Sequence, residues 1–379
     1  TQKGPLVHVT FETHDLLPLL ALAQRMTVQR KTLPILKHLL LTTTADNGMS
    51  IGATDLETDI RLQCPVRVLE PGAITVDAEK FHAVIKELSG EVSLRSVNEA
   101  TSELKREKSK FQFPGFSPED FPSILPRQTT PLMEMQMTAE ELIAAIDAVA
   151  FSVAIRDSRQ YLNGFYLCRI GNAVKLVASD GLRMAETILL PEAISKGDWS
   201  GVVLPRQGVL DTYKAIEKIK GSITLAVHAA VVTLTAPALE ISMRLIEGQF
   251  PNYEQIIPKT FTQTVVVTRE EILGAVRRLC ILTSESVRGI TFTIGAKSLR
   301  LSVDTPDLGK GEEEVSSTGG EPLTVTFVGK HLLDYLLSTR EQQIELKIAD
   351  EKKPILLRAV GNEKTQYIIM PLFLAKGKS

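Results

Sequence analysis

The chain has 379 residues, of which 44% are hydrophobic, 23% charged and 5% aromatic, with a formal net charge of −2. That length exceeds one typical hydrophobic core and implies roughly two to four domains. No apolar run reaches the ~18 residues of a bilayer span, and the N-terminal stretch lacks the basic, apolar and cleavage regions of a secretory signal. The charge balance does not advertise a nucleic-acid binder, although basic residues gathered on one face would still make one.

In chain order, Leu16, Leu17, Leu20, Ala21 and Ala23 recur at helical spacing. A polar turn with Arg25, Arg30 and Lys31 follows, and Pro34 opens an apolar, strand-like run to Leu41. Asp46-Asn47-Gly48 signals a hairpin. Residues 49–53 and 59–68 read as strands, and 79–88 as a helix with Phe81, Val84, Ile85 and Leu88 on one face. Strands at 92–97 and 111–113 close the unit, and the charged run 105–110 reads as a hairpin tip. The order then repeats. A helix over 139–153 leads to strands at 162–170, 174–178 and 184–190, a helix over 207–218, and strands at 223–227, 231–235 and 241–245. A third pass runs from Arg269 to a final strand at 367–371.

The repeat has a clear period. Asp-containing turns at Asp55, Asp180 and Asp304 are 125 and 124 residues apart. Three units of similar size are expected, at 1–127, 128–258 and 259–379, joined by proline-bearing linkers at 125–131 and 257–260. Each holds two helices on one face of an antiparallel sheet of about eight strands, an α+β layering.

Catalytic signatures are missing. Cys64, Cys168 and Cys280 lie more than 100 residues apart, without metal-ligand or disulfide spacing. His8, His14, His38, His82, His228 and His331 are scattered singly. There is no phosphate-cradling glycine loop and no nucleophile elbow. One aspartate per repeat cannot form a working carboxylate pair, which needs a separation within about 10 Å. Each is read instead as accepting backbone N–H groups in a tight turn. No catalytic residue, metal or cofactor is expected, and a hydrolase built on the aspartate turns is the disfavoured alternative.

Several stretches, in order and over essentially the whole chain, resemble the bacterial sliding clamp family, the beta subunit of DNA polymerase III. They are Arg30-Lys31-Thr32-Leu33-Pro34-Ile35-Leu36, Ala53-Thr54-Asp55-Leu56-Glu57, Arg159-Gln160-Tyr161-Leu162-Asn163-Gly164, Ala178-Ser179-Asp180-Gly181-Leu182-Arg183-Met184, Gly248-Gln249-Phe250-Pro251-Asn252-Tyr253 and Ile368-Ile369-Met370-Pro371-Leu372. The resemblance implies three clamp domains per chain, and a head-to-tail homodimer whose six domains ring duplex DNA without reading its sequence. Twelve inner helices at ~10 Å spacing give a circumference of about 120 Å and a hole of roughly 28 Å, wide enough for a duplex.

Positive charges lining such a ring would come from Arg25, Arg30, Lys80, Lys86, Arg156, Arg159, Arg206, Lys214, Arg277 and Lys330, with Arg30, Arg156 and Arg206 favoured by family position. A peptide-binding groove is implied for Leu162, Ser179, Gly181, Leu182, Arg183, Met184, Pro251, Ile256, Ile368, Met370, Pro371 and Leu372. It would take short linear motifs of the polymerase catalytic subunit, the clamp loader and repair proteins. Phe111 at one end, and Ile281 and Leu282 at the other, are implied at the subunit contact. The family's groove histidine is Leu182 here, and two groove-edge arginines are replaced by Gln255 and Phe373, which makes the groove less polar and predicts a shifted peptide repertoire. A cytoplasmic, non-enzymatic processivity factor is the leading expectation. A monomeric scaffold that binds the same peptides without encircling DNA is the alternative.

Overall fold

The structure is a computed structural model that describes residues 7–27, 33–44, 48–122, 130–190, 199, 201–285 and 287–372. The first third runs β1 (His8–Glu12), α1 (Thr13–Arg25), β2 (His38–Thr44), β3 (Gly48–Thr54), β4 (Thr58–Pro65), β5 (Arg67–Glu70), β6 (Ala73–Asp77), α2 (Ala78–Glu87), β7 (Glu91–Asn98), β8 (Thr101–Arg106) and β9 (Ser109–Pro114). The middle third runs β10 (Met133–Thr138), α3 (Ala139–Val149), β11 (Gly164–Ile170), β12 (Ala173–Ser179), β13 (Arg183–Leu190), β14 (Gly201–Pro205), α4 (Arg206–Ile216), β15 (Ser222–Val227), β16 (Val231–Ala236) and β17 (Leu239–Arg244). The last third runs β18 (Gln263–Thr268), α5 (Arg269–Cys280), β19 (Gly289–Ile294), β20 (Ser298–Thr305), β21 (Gly309–Thr318), β22 (Leu323–Val328), α6 (Gly329–Ser338), β23 (Gln343–Ile348), β24 (Ile355–Ala359) and β25 (Thr365–Ile369).

Every helix starts on the residue after a strand ends. The hydrophobic period changes from 2 to 3.6 at that point with no loop between. In the first helix of each third the same three positions are buried: Leu16, Leu20 and Ala23; Leu142, Ile146 and Val149; Ile272, Val276 and Leu279. Each large aliphatic side chain removed from water there contributes about 1.5–3 kcal/mol. At the start of α2, the Asp77 carboxylate caps the helix by accepting from Lys80 N at 3.0 Å.

The chain divides into two compact units, and the cut passes through the middle third. One unit comprises Thr1–Glu140, Ile194–Trp199 and Gln207–Leu245. It holds a five-stranded sheet, β5-β1-β7-β8-β9, and an eight-stranded sheet, β10-β15-β16-β17-β4-β3-β2-β6. The eight strands are two four-stranded ribbons, joined where β4 pairs antiparallel with β17. The other unit comprises Glu141–Ala193, Ser200–Arg206 and Ile246–Ser379. Its twelve-stranded sheet runs β14-β11-β12-β13-β25-β24-β23-β18-β21-β20-β19-β22, with an equivalent seam where β13 pairs with β25. Among the described residues β5, β9, β10, β6, β14 and β22 end their sheets, and β21 is open along most of one edge. Among the described residues β9 pairs only with β8. β21 pairs with β20 over Gly309 to Ser316 but meets β18 only at Ser317 and Thr318.

Three local expectations are corrected. The apolar run after Pro34 begins as a 3-10 turn, Pro34–Lys37, and becomes strand only at His38, because Pro34 sits at the first helical position and supplies no N–H. The helix opening the middle third ends at Val149 and continues as a 3-10 turn, Ala150–Ser152. Asp304 is not a turn residue. Leu301 pairs with Phe292 as Ile51 does with Leu41 and Leu176 with Leu167, so the position equivalent to Asp55 and Asp180 is Thr305. A one-residue offset in a strand reverses the face, and Asp304 points outward to Lys310 Nζ at 2.6 Å. The hairpin signal at Asp46-Asn47 lies outside the described residues, although Thr44 and Gly48 pair on either side of it.

Candidate functional site

In the second unit a cavity of about 190 Å³ opens beside the β13–β25 seam. Its lining includes ten of the groove residues named from the sequence: Leu162, Ser179, Gly181, Leu182, Arg183, Met184, Pro251, Ile256, Ile368 and Met370. The floor is core. Leu162, Met184 and Ile368 are buried in one cluster with Phe250 and Tyr253. Phe250 stacks on Tyr166 with ring centres 4.6 Å apart, and Tyr253 meets Tyr166 edge-on. The rim is open, with Leu182 and Ile256 47% and 46% exposed. Exposed apolar side chains over a rigid aromatic floor suit an apolar anchor side chain.

The remaining lining residues, Arg159, Tyr161, Phe250, Asn252 and Tyr253, were not expected in the groove. All lie inside or beside the motif stretches, but the strand and turn geometry that aims them at the cavity has no sequence signal. Pro371 and Leu372 are not among the lining. The chain leaves the groove after Met370, Leu372 N donates to Thr326 O at 2.7 Å, and Leu372 lines a separate cavity of about 570 Å³. Gln255 sits in the short turn Tyr253–Ile256. Phe373 lies outside the described residues.

One wall of the groove is the turn from Ser179 to Met184. Asp180 Oδ1 accepts from Leu182 N at 2.9 Å and Arg183 N at 3.0 Å, and Ser179 Oγ accepts from Gly181 N at 3.1 Å. Gly181 has φ +90, and a β-carbon there would lie 2.8 Å from Arg159 Nη2. The backbone conformation calls for glycine, while the guanidinium is the mobile end of a half-exposed side chain. The first third builds the same turn: Asp55 Oδ1 accepts from Glu57 N at 2.9 Å and Thr58 N at 2.6 Å. Both aspartates are thus turn-forming acceptors, and the aspartate-hydrolase alternative loses its candidates.

The turn is tied to α6. Arg183 Nη1 donates to Asp334 Oδ2 at 2.7 Å, and Arg183 Nε to Asp180 Oδ2 at 2.9 Å. His331 Nε2 lies 4.0 Å from Asp180 Oδ2. Burial, then the Arg183 charge, push the imidazole down to about 4, so it is neutral at pH 7. Below the floor, Cys168 Sγ is 3.8 Å from the Tyr253 hydroxyl, and burial pushes the thiol up to about 12. That thiol is inert at neutral pH.

The equivalent seam of the first unit is polar. Met184 pairs with Ile368 across β13–β25, but Asp59 pairs with Ser242 across β4–β17. Leu182 O accepts from Met370 N, whereas Glu57 O accepts from Arg244 N. Four apolar groove positions are therefore Asp59, Ser242, Glu57 and Arg244 here, so the same backbone carries polar side chains at this seam.

Of the favoured DNA contacts, Arg30 lies outside the described residues. Arg156 is exposed in a loop at φ 59. Arg206 is half-buried at the first position of α4, its Nε without a hydrogen-bond partner. Arg25 is bound to Asp211 at 3.3 Å, Lys214 to Glu217 at 3.3 Å, and Arg159 to Asp157 at 2.9 Å. Lys86, Arg277 and Lys330 are exposed on α2, α5 and α6, and Lys80 lies 3.9 Å from Glu79. Phe111 is 36% exposed on the open edge strand β9, and Ile281 is 75% exposed just after α5. Leu282 is half-buried, with Cδ1 2.8 Å from where a β-carbon on Gly311 would stand. Among the described residues no group of three or more His, Cys, Asp or Glu side chains is placed to hold a metal. No helix among them is long and apolar enough to cross a membrane.

Family models of the DNA polymerase III beta subunit match in chain order: the N-terminal domain at residues 7–126, the central domain at 136–252 and the C-terminal domain at 254–373. The beta sliding clamp of Pseudomonas putida is 29% identical over 374 residues, covering 97% of this chain and 100% of that protein. That of Vibrio cholerae is 28% identical over 91% of this chain and 94% of its own. Among solved structures, the Pseudomonas aeruginosa DNA polymerase sliding clamp with ligand superimposes with a TM-score of 0.91 at 28% identity, covering 97% of this chain and 100% of that one. The same organism's clamp bound to griselimycin gives 0.91 at 27% identity, with the same coverage. The repeated turn, the three pairs of helices and the apolar seam thus have one explanation: the chain belongs to the DNA polymerase III beta subunit family, the beta sliding clamps, which are non-catalytic processivity factors.

Proposed function

We propose that two copies of this chain close head to tail into a ring around duplex DNA, and that the groove tethers polymerase, clamp loader and repair proteins by short peptides. Domain boundaries at 127/128 and 258/259 accompany this reading, and replication of bacterial DNA implies the cytoplasm. The observation that carries it is that two open edges, those of β21 and β9, stand at the repeat positions that pair at the internal seams. Two seams, β4–β17 and β13–β25, join consecutive thirds, leaving β21 and β9 as the unpaired members of a third seam. Only a second copy can supply it in a head-to-tail arrangement.

The internal repeat also gives the register. Ile60 pairs with Ile241 and Ala185 with Tyr367, which sets Gly311 opposite Phe111 of the second copy. Ile241 and Tyr367, which fill Phe111's position at the two internal seams, are both 0% exposed. Gly311 has no side chain of its own, so the ring would pack over it against Leu279 and Leu282, each 2.8 Å from where a β-carbon would stand. One residue along, Arg61 pairs with Glu240 at 3.2 Å and Gln366 hydrogen-bonds Glu186. The third seam sets Glu312 opposite Lys110, an ion pair of reversed polarity.

DNA would be held by scattered contacts to phosphates, with Arg156 and Arg206 the foremost described candidates, so binding is independent of sequence and slides. The test is retention on nicked circular DNA. Retention that vanishes on linearisation requires a topological link. Equal binding to both forms, or a monomer at micromolar concentration, supports the scaffold alternative instead.

A further inference from the structure

We infer that Asp334 is a positioning residue of the groove, acting through Arg183, and that Asp211 is its counterpart at the polar seam with no part in ligand binding. This rests on the peptide-groove reading above and extends it to a residue on α6 outside the groove lining.

Asp211 and Asp334 are both the sixth residue of their helices, α4 and α6. Each carboxylate is held by an arginine from the preceding third: Asp211 by Arg25 at 3.3 Å, Asp334 by Arg183 at 2.7 Å. The two arginines come from different places. Arg25 is the thirteenth residue counted from the start of α1, and its equivalent counted from the start of α3 is Phe151. Arg183 is three residues past its turn aspartate, where the first third has Thr58. At the polar seam the clasp arginine therefore comes from the end of α1 and not from the turn. At the apolar seam its arginine is part of the turn that forms the groove wall, and the guanidinium carbon sits 5.8 Å over the Phe151 ring, which fills the vacated position.

The consequence is geometric. Arg183 is only 11% exposed, although it lines the groove. Two carboxylates draw its charge back from the cavity, leaving the apolar Leu182 on the rim. Asp180 holds only Nε, through Oδ2, because its Oδ1 serves the amides of Leu182 and Arg183, and Nη1 is left to Asp334. Without Asp334 the guanidinium loses its link to α6, and both the charge presented to the cavity and the set of the turn change.

The test uses the full chain and a fluorescein-labelled peptide of Gln-x-x-Leu-x-Phe pattern. Fluorescence anisotropy is measured for wild type, Asp334→Asn, Asp334→Glu and Asp211→Asn, alongside hydrogen exchange at the Leu182 and Arg183 amides. Asp334→Asn should weaken binding about 5–10-fold and speed exchange at both amides, with Asp334→Glu recovering most of each. Asp211→Asn should lower the melting temperature yet leave affinity within about twofold, because its partner Arg25 is no part of the groove wall. Wild-type affinity and exchange in Asp334→Asn would overturn the inference, as would an equal loss in Asp211→Asn. If wild type does not bind the peptide, the groove reading fails by itself, and the amide exchange still decides whether Asp334 positions the turn.

Discussion

The ion pair at the third seam can be tested by reversing its charges. Its internal equivalent, Arg61–Glu240, has side chains 36% and 45% exposed, so a surface-type strength of about 0.2–1 kcal/mol applies. Lys110→Glu or Glu312→Lys alone replaces attraction with repulsion, a change of roughly 1–2 kcal/mol at each seam. A closed dimer contains the seam twice, giving about 2–4 kcal/mol, or a ~30–1000-fold weaker dimer. Each partner already has a local counter-ion, Glu103 for Lys110 at 2.6 Å and Arg300 for Glu312 at 2.9 Å. That competition places the expectation at the lower end, about 30-fold. Sedimentation equilibrium at about 50 and 500 mM salt reads the dimer constant, and the difference between variants should shrink at high salt. The double reversal should restore most of the affinity. If it dimerises no better than either single variant, the register is wrong, and if the singles match wild type, no such pair forms.

Burial raises the Asp59 carboxyl to about 7, partly offset by the Thr54 hydroxyl and the Arg61 charge. A carboxyl raised on folding stabilises the protein at acid pH, and that contribution is lost as pH rises from about 4 through 7. Screened at a half-buried site, the loss is about 1–2 kcal/mol. Asp59→Asn should remove that slope in urea titrations between pH 5 and 8 and be the more stable form at pH 8. Leu182→Ala, at an exposed rim position, should cost about 1 kcal/mol of peptide affinity by anisotropy with little change in melting temperature. Arg156→Ala and Arg206→Ala should each reduce the salt slope of DNA binding by about 1, equally for unrelated sequences. Ile281→Arg combined with Ala83→Asp should strengthen the dimer in sedimentation runs, for a reason taken up at the end.

Periodicity carried most of the fold. The six α-helices among the described residues were legible because each buries one face at a spacing of 3.6 directly after a strand of period 2. The errors arise where two backbones satisfy the same pattern. The run from Pro34 is apolar in either conformation, and only the proline's position starts it as a 3-10 turn. Asp304 matches the repeat to within one residue, and only the ladder from Leu301 to Phe292 shows that Thr305 takes the turn position. The ten expected residues of the cavity lining lie in the motif stretches that carry the resemblance or beside them. Leu372 was displaced because the chain leaves the groove after Met370 to pair with Thr326, a backbone choice that no side chain announces. The clasp arginines were harder still: Arg25 and Arg183 occupy non-equivalent positions, so aligning the repeats separates two groups with one task.

The three seams differ in what holds them, and the difference follows from three positions per repeat. The two internal seams each hold a carboxylate on the second helix, Asp211 or Asp334, that must keep an arginine partner, because a largely buried charge without one is strongly destabilising. At the proposed seam between subunits those positions would be Ile281 for Arg25, Gly309 for Arg183 (Gly309 faces Thr305 across its hairpin as Arg183 faces Asp180) and, on the second copy, Ala83 for the carboxylate. No charge is left there to be stranded when the seam parts. In the proposed ring it would be joined by a strand pair, by Phe111 packed against Leu282 and Ile281, and by an exposed ion pair, of which the polar parts can be replaced by water at modest cost. A ring built this way opens between subunits and not within one. Supplying the missing clasp with arginine at 281 and aspartate at 83 converts the replaceable seam into one of the permanent kind, which is why that double variant should dimerise more tightly and release circular DNA more slowly.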